Sequence, residues 1–313
     1  MMKNPKVSVC VVTYNHEKYI RECLESIVTQ KCDFDFEVIV GDDCSTDNTR
    51  VIVQEYVDKY PNIVKPLYHE KNVGPVKNII EIYRMAKGKF ICHMDGDDYA
   101  LPNKIQIQYN ILNNNPDCTI CSHDMKLLKD DKILSITFKK FIKGKYTIID
   151  LYKTLPFFAH SSKMFVNDLS DFFWNKLHFE ALDIEVHVNQ AKKGKIFHLS
   201  ECLGVYRLGS GVSSCYSRVN PVIVRGVDRI FTEALNEKII DSNTIKKCYS
   251  KAYLNFAYQS TIFNNDKEFT KYIRKSLDIK IISIIQVIMY ILSYSPKIAL
   301  FLAKIRNLRK YNK

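Results

Sequence analysis

Glycine, proline and uninterrupted apolar runs are scarce in this chain. Ten glycines and nine prolines in 313 residues leave no stretch that reads as a long flexible linker or a collagen-like repeat. No apolar run reaches the roughly 20 residues that a membrane-spanning helix needs, so a polytopic membrane protein is excluded. The two common phosphate-binding loops are missing as well. No GxxxxGK[ST] occurs, and Gly209-Ser210-Gly211 lacks the third glycine of a dinucleotide fingerprint. Met1–Lys6 leads straight into a strand-like segment with no apolar leader, so the chain is expected to stay on the cytoplasmic side. Acidic residues are absent from position 279 onward, whereas seven basic residues fall in that stretch and supply more than half of the net charge of +12. The remainder is only mildly basic and carries no nucleic-acid-binding module, so no nucleic-acid partner is expected.

What is present is ordinary for a folded protein: 46% hydrophobic and 26% charged residues, enough for a sizeable core. The ten cysteines sit mostly inside apolar runs without paired spacing and read as reduced thiols. Cys118 and Cys121, followed by His123 and Asp124, are the one close pair. A zinc site needs a second pair that does not follow, so a buried strand is the expected reading.

The first half alternates strands and helices. Val7–Thr13 is a continuous apolar, β-branched run suited to a buried parallel strand, and Phe36–Val40 is a second, short apolar strand. A weaker strand, Val64–Tyr68, contains Pro66 and is expected away from the sheet centre, and Phe90–Met94 is a fourth. Between them lie helices with apolar stripes at Ile20, Cys23, Leu24 and Ile27, at Ile52 and Tyr56, and at Val76, Ile79, Ile80 and Tyr83. Asn15 is expected to cap the first helix, and Asp47 or Asn48 the second. This alternation predicts an α/β fold, a mostly parallel sheet flanked by helices, with ligands beyond the carboxyl ends of the strands. Thr119–Leu128 and Lys132–Phe138 read as strands around a turn at 129–131, and residues 182–192 as a helix. From Pro221 onward the pattern is helical.

Carboxylates cluster at two of the expected strand ends: Asp42 and Asp43 after the second, Asp95, Asp97 and Asp98 after the fourth. Three carboxylates within four residues repel unless a cation joins them, and all-oxygen donors favour Mg²⁺ or Mn²⁺. A solvated acidic turn is the plain alternative. The Asp43 carboxylate can accept the N–H of a planar base such as uracil. Ser45 and Thr46 can add hydrogen bonds or cap the next helix. A metal for phosphate beside a base-reading acid implies a nucleotide diphosphate ligand.

On these residues the chain resembles glycosyltransferase family 2, nucleotide-diphospho-sugar transferases of the GT-A fold. Thr13-Tyr14-Asn15 resembles the family's opening segment. Gly41-Asp42-Asp43-Cys44-Ser45-Thr46-Asp47 is similar to its nucleotide loop, with Cys44 where glycine is usual. Asn72, Gly74, Lys77 and Asn78 match a further stretch, with Lys77 in place of arginine. Asp95-Gly96-Asp97-Asp98 is similar to the D-x-D metal motif. Leu182-Asp183-Ile184-Glu185 resembles the segment carrying the catalytic base, although Leu182 and Ile184 depart from it. Tyr206-Arg207, Gly211 and Ser213 resemble the closing motif. The resemblance covers residues 5 to about 217. It implies a GT-A catalytic domain over 1–220 and a helical region over 221–313.

It further implies inverting transfer from a nucleotide-diphospho-sugar, most simply a UDP-sugar, to the hydroxyl of a carbohydrate or lipid-linked acceptor in cell-surface polysaccharide or glycolipid synthesis. Asp95 and Asp97 would hold Mn²⁺ or Mg²⁺, and Lys77 and Arg207 would contact phosphate or sugar. Asp183 is the expected base. His187, one helical turn on, either orients it or is itself the base, and His160-Ser161-Ser162 is expected to line the acceptor pocket. Two other readings stand beside this one: a nucleotidyltransferase, which the lack of a glycine-rich basic loop after the first strand disfavours, and a degenerate sugar-nucleotide-binding scaffold.

Residues 281–303 are apolar but are interrupted by Pro296 and Lys297 and flanked by basic residues. They read as an interfacial helix or hairpin on an anionic membrane surface, which would place the protein peripherally on the inner face. A helical pair packed on the protein is the alternative.

Overall fold

The computed structural model describes residues 5–137, 141–168, 174, 177–209 and 218–294. The chain divides into two compact units, residues 1–151 with 156–214 and residues 152–155 with 215–313.

The first unit is built on one mixed sheet. Strands β1 (Val7–Thr13), β2 (Phe36–Asp42), β3 (Val64–Tyr68) and β4 (Phe90–Asp95) pair in parallel in the order β3-β2-β1-β4. The Pro66 strand is therefore an edge strand, as its missing N–H requires. β5 (Tyr99–Ala100) is short. β6 (Cys118–Lys129) and β7 (Lys132–Thr137) form a hairpin, turned at Asp130 and Asp131 with φ of 48° and 58°. β8 (Gly144–Tyr146), β9 (Met164–Val166) and β10 (Lys195–Arg207) complete the sheet, whose main path is β3-β2-β1-β4-β9-β6-β10-β5. The short β9 runs antiparallel between β4 and β6, so β6 and β10 run in the direction of β4.

Helices α1 (Ile20–Val28), α2 (Thr49–Lys59), α3 (Pro75–Met85) and α4 (Lys104–Asn114) cover the sheet; α5 (Ile148–Thr154) and α6 (Asp183–Ala191) follow. Every residue of β2 is buried, and so is β1 apart from Val12, as expected for strands covered on both faces. Cys118 and Cys121 lie in this core on β6, the buried strand anticipated for them.

One expectation is corrected. Asn15 does not cap α1, which starts at Ile20 with no side-chain cap. Asn15 sits at φ 54°, and its side-chain Oδ1 accepts from the Thr46 amide at 2.8 Å. The residue is drawn to a neighbouring loop rather than to its own helix. Asp47 accepts from the Thr49 amide at 2.9 Å at the start of α2.

The second unit contains helices α7 (Pro221–Glu237), α8 (Ser242–Ile262), α9 (Asp266–Ile279) and α10 (Ile284–Leu292). Each starts at a residue whose side chain accepts a helix amide: Asn220, Asp241, Asn265 and Ser283. Phe231, Ile245, Ala257, Phe269 and Ile273 are buried in it, and Gln286 of α10 donates to the hydroxyls of Ser250 and Ser276. Among the described residues no helix is long and apolar enough to cross a membrane. Gly211, Ser213, Pro296, Lys297 and the basic stretch beyond lie outside the described residues.

Candidate active site

Strand register assembles the site. Thr13 pairs with Asp42 and Val12 with Asp95, so β1, β2 and β4 deliver their carboxyl ends to one edge of the sheet. Two loops meet there. The Asn15 amide donates to the Ser45 hydroxyl at 3.0 Å, the His16 amide to Thr49 at 2.8 Å and the Glu17 amide to Asp47 at 3.1 Å. Tyr14 stays exposed beside them.

The two aspartates after β2 have different surroundings. Asp42 is fully buried, with Arg50 on its carboxylate at 2.8 Å and the Ser45 amide at 3.3 Å. Asp43 accepts from the amides of Val73 at 2.6 Å and Gly74 at 3.0 Å, and the Asn72 side chain donates to its carbonyl at 3.2 Å. Gly74 takes φ 86°, a conformation that favours glycine. Asn78 is buried, donates to the Gly41 carbonyl at 2.8 Å and meets His69 Nε2 at 3.2 Å. A Cβ at Gly41 would lie 2.1 Å from Asn78 Oδ1, so glycine lets α3 approach β2. Lys77, on the outward side of α3, is 61% exposed and lies 3.6 Å from Glu81.

Asp95 ends β4, and a third of its side chain is exposed. His93 Nε2 reaches Oδ1 at 3.1 Å, and the Ser161 hydroxyl donates to Oδ2 at 2.7 Å. Burial opposes ionisation, but His93 and Ser161 outweigh it and hold the carboxyl below its usual range. Gly96 is needed for space, because a Cβ there would come within 2.9 Å of Thr13 Oγ1 and 3.0 Å of His16 Nδ1. Asp97 and Asp98 are buried. Burial and the charges of Asp95 and Asp97 push the Asp98 carboxyl well up. Arg207 grips this loop. Its amide donates to Asp98 Oδ1 at 2.9 Å, its Nε to the Asp97 carbonyl at 3.0 Å and its Nη2 to Glu22 at 2.6 Å, and the guanidinium lies over Tyr19.

Three buried polar atoms at this corner have no hydrogen-bond partner: Thr13 Oγ1, His16 Nδ1 and Asp98 Oδ2. Among the described residues no group of three or more His, Cys, Asp or Glu side chains is placed to hold a metal ion. The carboxylates of Asp95, Asp97 and Asp98 are oxygen donors crowded into four residues, the chemistry that a hard divalent ion favours.

On the other side of the site, α6 starts at Asp183, and the Leu182 amide donates to Glu185 at 2.8 Å. Asp183 is 59% exposed and lies 3.5 Å from His160 Nδ1. Burial of its surroundings and the charge of Asp95 push its carboxyl up to about 6, against Lys163, and solvent around the exposed oxygens limits that rise. Lys163 is itself fully buried, pushed down to about 7, with Gln190 at 3.3 Å. His187 is fully enclosed, and its Nε2 meets His160 Nδ1 at 3.1 Å. Burial holds both imidazoles neutral.

Thus Thr13, Tyr14, Asn15, Asp42, Asp43, Asp95, Gly96 and Asp97 all belong to strand ends or adjoining loops at one edge, and Asn72, Gly74 and Asn78 bind to that assembly through Asp43 and Gly41. The sequence pattern does not mark His16, His93 or Tyr83 for function: Tyr83 falls in an apolar stripe, and a histidine inside an apolar strand is the signal that His93 offers.

Comparison with known proteins shows the family and the fold. The family description "Glycosyl transferase family 2" matches residues 8–173, more than half of the chain. The chain belongs to glycosyltransferase family 2. Its relatives include an uncharacterised protein of Mycobacterium tuberculosis, 29% identical over 204 residues, and the putative glycosyltransferase EpsH of Bacillus subtilis, 29% identical over 202 residues. Each alignment covers 64% of this chain, and 58% and 54% of the respective relatives, so the chain spans less than two thirds of their length. The crystal structure of Staphylococcus aureus TarS 1-349 in complex with UDP-GlcNAc aligns over 98% of this chain and 92% of that one, with a TM-score of 0.67 at 21% identity. A mannosyltransferase from Pyrobaculum calidifontis, solved with GDP-Man and Mn²⁺, aligns over 98% and 88% with a TM-score of 0.58 at 15% identity. The family 2 chain thus has the GT-A fold.

Proposed function

We propose that this protein is an inverting glycosyltransferase that moves a sugar from a UDP-sugar to an acceptor hydroxyl in cell-surface polysaccharide or glycolipid synthesis. The observation that carries this is the meeting of Asp43, the Asp95–Asp98 loop and the exposed carboxylate of Asp183 around one edge of the sheet. The names of the relatives support the class of product: Staphylococcus aureus TarS, 44% identical over 97 residues, is a poly(ribitol-phosphate) β-N-acetylglucosaminyltransferase.

In this reading the remaining lone pairs of Asp43 accept from the base, while Asn72, Gly74 and Asn78 hold its loop closed. Thr13, Tyr14 and Asn15 border the nucleotide, and Thr13 Oγ1 and His16 Nδ1 are free to bind it. Asp95 and Asp97 would hold Mn²⁺ or Mg²⁺, which supplies positive charge to the departing diphosphate. Lys77 is the exposed cation for phosphate. Asp42 and Arg207 act by fixing the loops, since their charged groups are engaged inside the protein. Asp183 takes the proton of the acceptor hydroxyl as that oxygen attacks the anomeric carbon from the face opposite the leaving diphosphate. The enclosed His187 supports this arrangement and does not reach the acceptor.

Among the described residues, the second unit bears an exposed apolar stripe. Ile284, Ile285, Ile288 and Ile291 are exposed along α10, Ile284 to 76%, and Ile281 just before it is exposed as well. With Lys280 and the basic residues that follow in sequence, this stripe suits a peripheral position on the anionic cytoplasmic face of a membrane.

Release of free nucleotide from a panel of nucleotide sugars, with and without Mn²⁺, tests the activity. Turnover of a UDP-sugar with an added acceptor supports the reading. Binding without turnover on any acceptor points to a scaffold instead.

A further inference from the structure

One cavity of the first unit has no part in the transfer outlined above. Its volume is about 340 Å³, and Cys118, Val166, Trp174, Gln190, Lys192 and Lys193 are among its walls. That volume falls at the lower end of the range in which proteins hold small organic molecules, roughly 300–1,000 Å³. The cavity lies at the opposite edge of the sheet from the candidate active site. Cys118 opens β6, and Val166 pairs with Phe90 at the start of β4, whereas Asp95 ends that strand. From Phe90 to Asp95 the strand rises about 16 Å.

One side of the cavity is apolar and rigid. The Trp174 ring meets Tyr83 edge-on with centroids 5.5 Å apart, and the Tyr83 hydroxyl in turn meets His93 Nδ1 at 2.8 Å and His160 Nε2 at 3.5 Å. A ring fixed in this way is a preformed surface for another ring. The polar side sits at the end of α6. Gln190 Oε1 accepts from the Lys163 ammonium at 3.3 Å, which fixes the amide, because the reverse orientation would set its N–H groups against a cation. Gln190 Nε2 is thereby a buried donor with no hydrogen-bond partner. Lys192 donates to Asn189 at 3.2 Å and Lys193 to Asp168 at 2.6 Å. Two lysines against the single carboxylate of Asp168 give these walls one positive charge in excess. That excess outweighs the negative end of α6, which is equivalent to about half a charge.

We propose that this cavity is a second ligand site, separate from the transfer site, for a small ring-bearing carboxylate. The ring lies against Trp174 and Val166, and the carboxylate accepts from Lys192 and from Gln190 Nε2. A buried donor without a partner is costly, and a carboxylate oxygen is the acceptor that removes the cost. Removal of the ring from water supplies the remaining affinity. Binding there requires neither the nucleotide nor the metal.

Trp174 is the only tryptophan in the chain, so its fluorescence reports on this cavity. Titration of the full chain with benzoate, phenylacetate or cyclohexanecarboxylate should change that emission saturably, with a dissociation constant in the millimolar range or below. Benzamide should bind about tenfold more weakly than benzoate, and Lys192→Met should weaken benzoate by a similar factor. UDP with Mn²⁺ should leave the bound benzoate in place, and Val166→Phe, which narrows the cavity, should abolish the response. Absence of a saturable response to all of these carboxylates up to about 10 mM overturns the site. Displacement by UDP overturns it too, since the ligand then occupies the transfer site, and so does a full response in a Val166→Phe protein that still melts cooperatively. Benzamide binding as tightly as benzoate, or benzoate binding undiminished in Lys192→Met, overturns the carboxylate as the recognised group. Should Val166→Phe fail to fold, a crystal structure of the wild-type chain with benzoate decides: density between Trp174 and Lys192 supports the site, and density elsewhere or none overturns it.

Discussion

The backbone amide of Arg207 donates to Asp98 Oδ1 at 2.9 Å while its Nε donates to the neighbouring Asp97 carbonyl at 3.0 Å. One residue at the end of β10 thereby holds the acidic loop that follows β4, although 110 positions separate it from Asp97. The guanidinium is further anchored by Glu22 and stacked on Tyr19, so the residue clamps a loop whose carboxylates would otherwise repel one another.

Removing the clamp should loosen that loop. Arg207→Ala keeps the amide but loses the guanidinium contacts, at a cost of about 1–3 kcal/mol. The expected result is a lower melting temperature and weaker donor binding, read by thermal denaturation with and without UDP. Unchanged values of both would show that the clamp is idle.

The two groups of acids should separate by function. Asp97→Asn is expected to abolish metal-dependent nucleotide binding. Asp183→Asn is expected to leave that binding intact and to lower kcat by roughly 10²–10⁴-fold, the usual contribution of a general base. Calorimetric titration with UDP and Mn²⁺, beside initial rates, distinguishes them.

Transfer should depend on pH with a definite sign. As the proposed base, Asp183 would act in its ionised form, and its carboxyl is pushed up to about 6. The rate should therefore be full above that value and decline as pH falls through it, approaching a tenfold loss per pH unit. A rate that stays flat down to the ordinary carboxylate range would contradict the raised value.

Gly41→Ala places a methyl group 2.1 Å from Asn78 Oδ1 and 2.6 Å from Ile82. Overpacking of this kind costs about 1–3 kcal/mol. The melting temperature should fall, and combining the change with Asn78→Ala should recover part of the loss. A purely additive double variant would rule out that contact as the cause.

The isoleucine stripe of α10 gives a test independent of catalysis. Ile284→Asp with Ile288→Asp should reduce sedimentation with phosphatidylglycerol-containing vesicles and leave transfer to a soluble acceptor unaltered. Wild-type protein that ignores such vesicles at low salt would remove the membrane role.

Much of the fold was legible in the residues alone. A β-branched apolar run marked β1, and short, largely apolar segments marked β2 and β4, because strands buried on both faces need not alternate. Pro66 marked an edge, and the acidic pair at 130–131 marked a hairpin. The carboxylates at the ends of β2 and β4 and at the start of α6 were equally visible, since a strand end followed by acids is a local pattern. Side-chain pairing between distant segments was decided only by the tertiary structure. Asn15 reaches across to Thr46, Asn78 fills the space left at Gly41, and His93, Tyr83 and His160 join Asp95 to Asp183. Such pairs have no periodicity to read. They arise when the sheet order brings β1, β2, β4 and β9 side by side, and burial then requires each polar group to find a partner within reach.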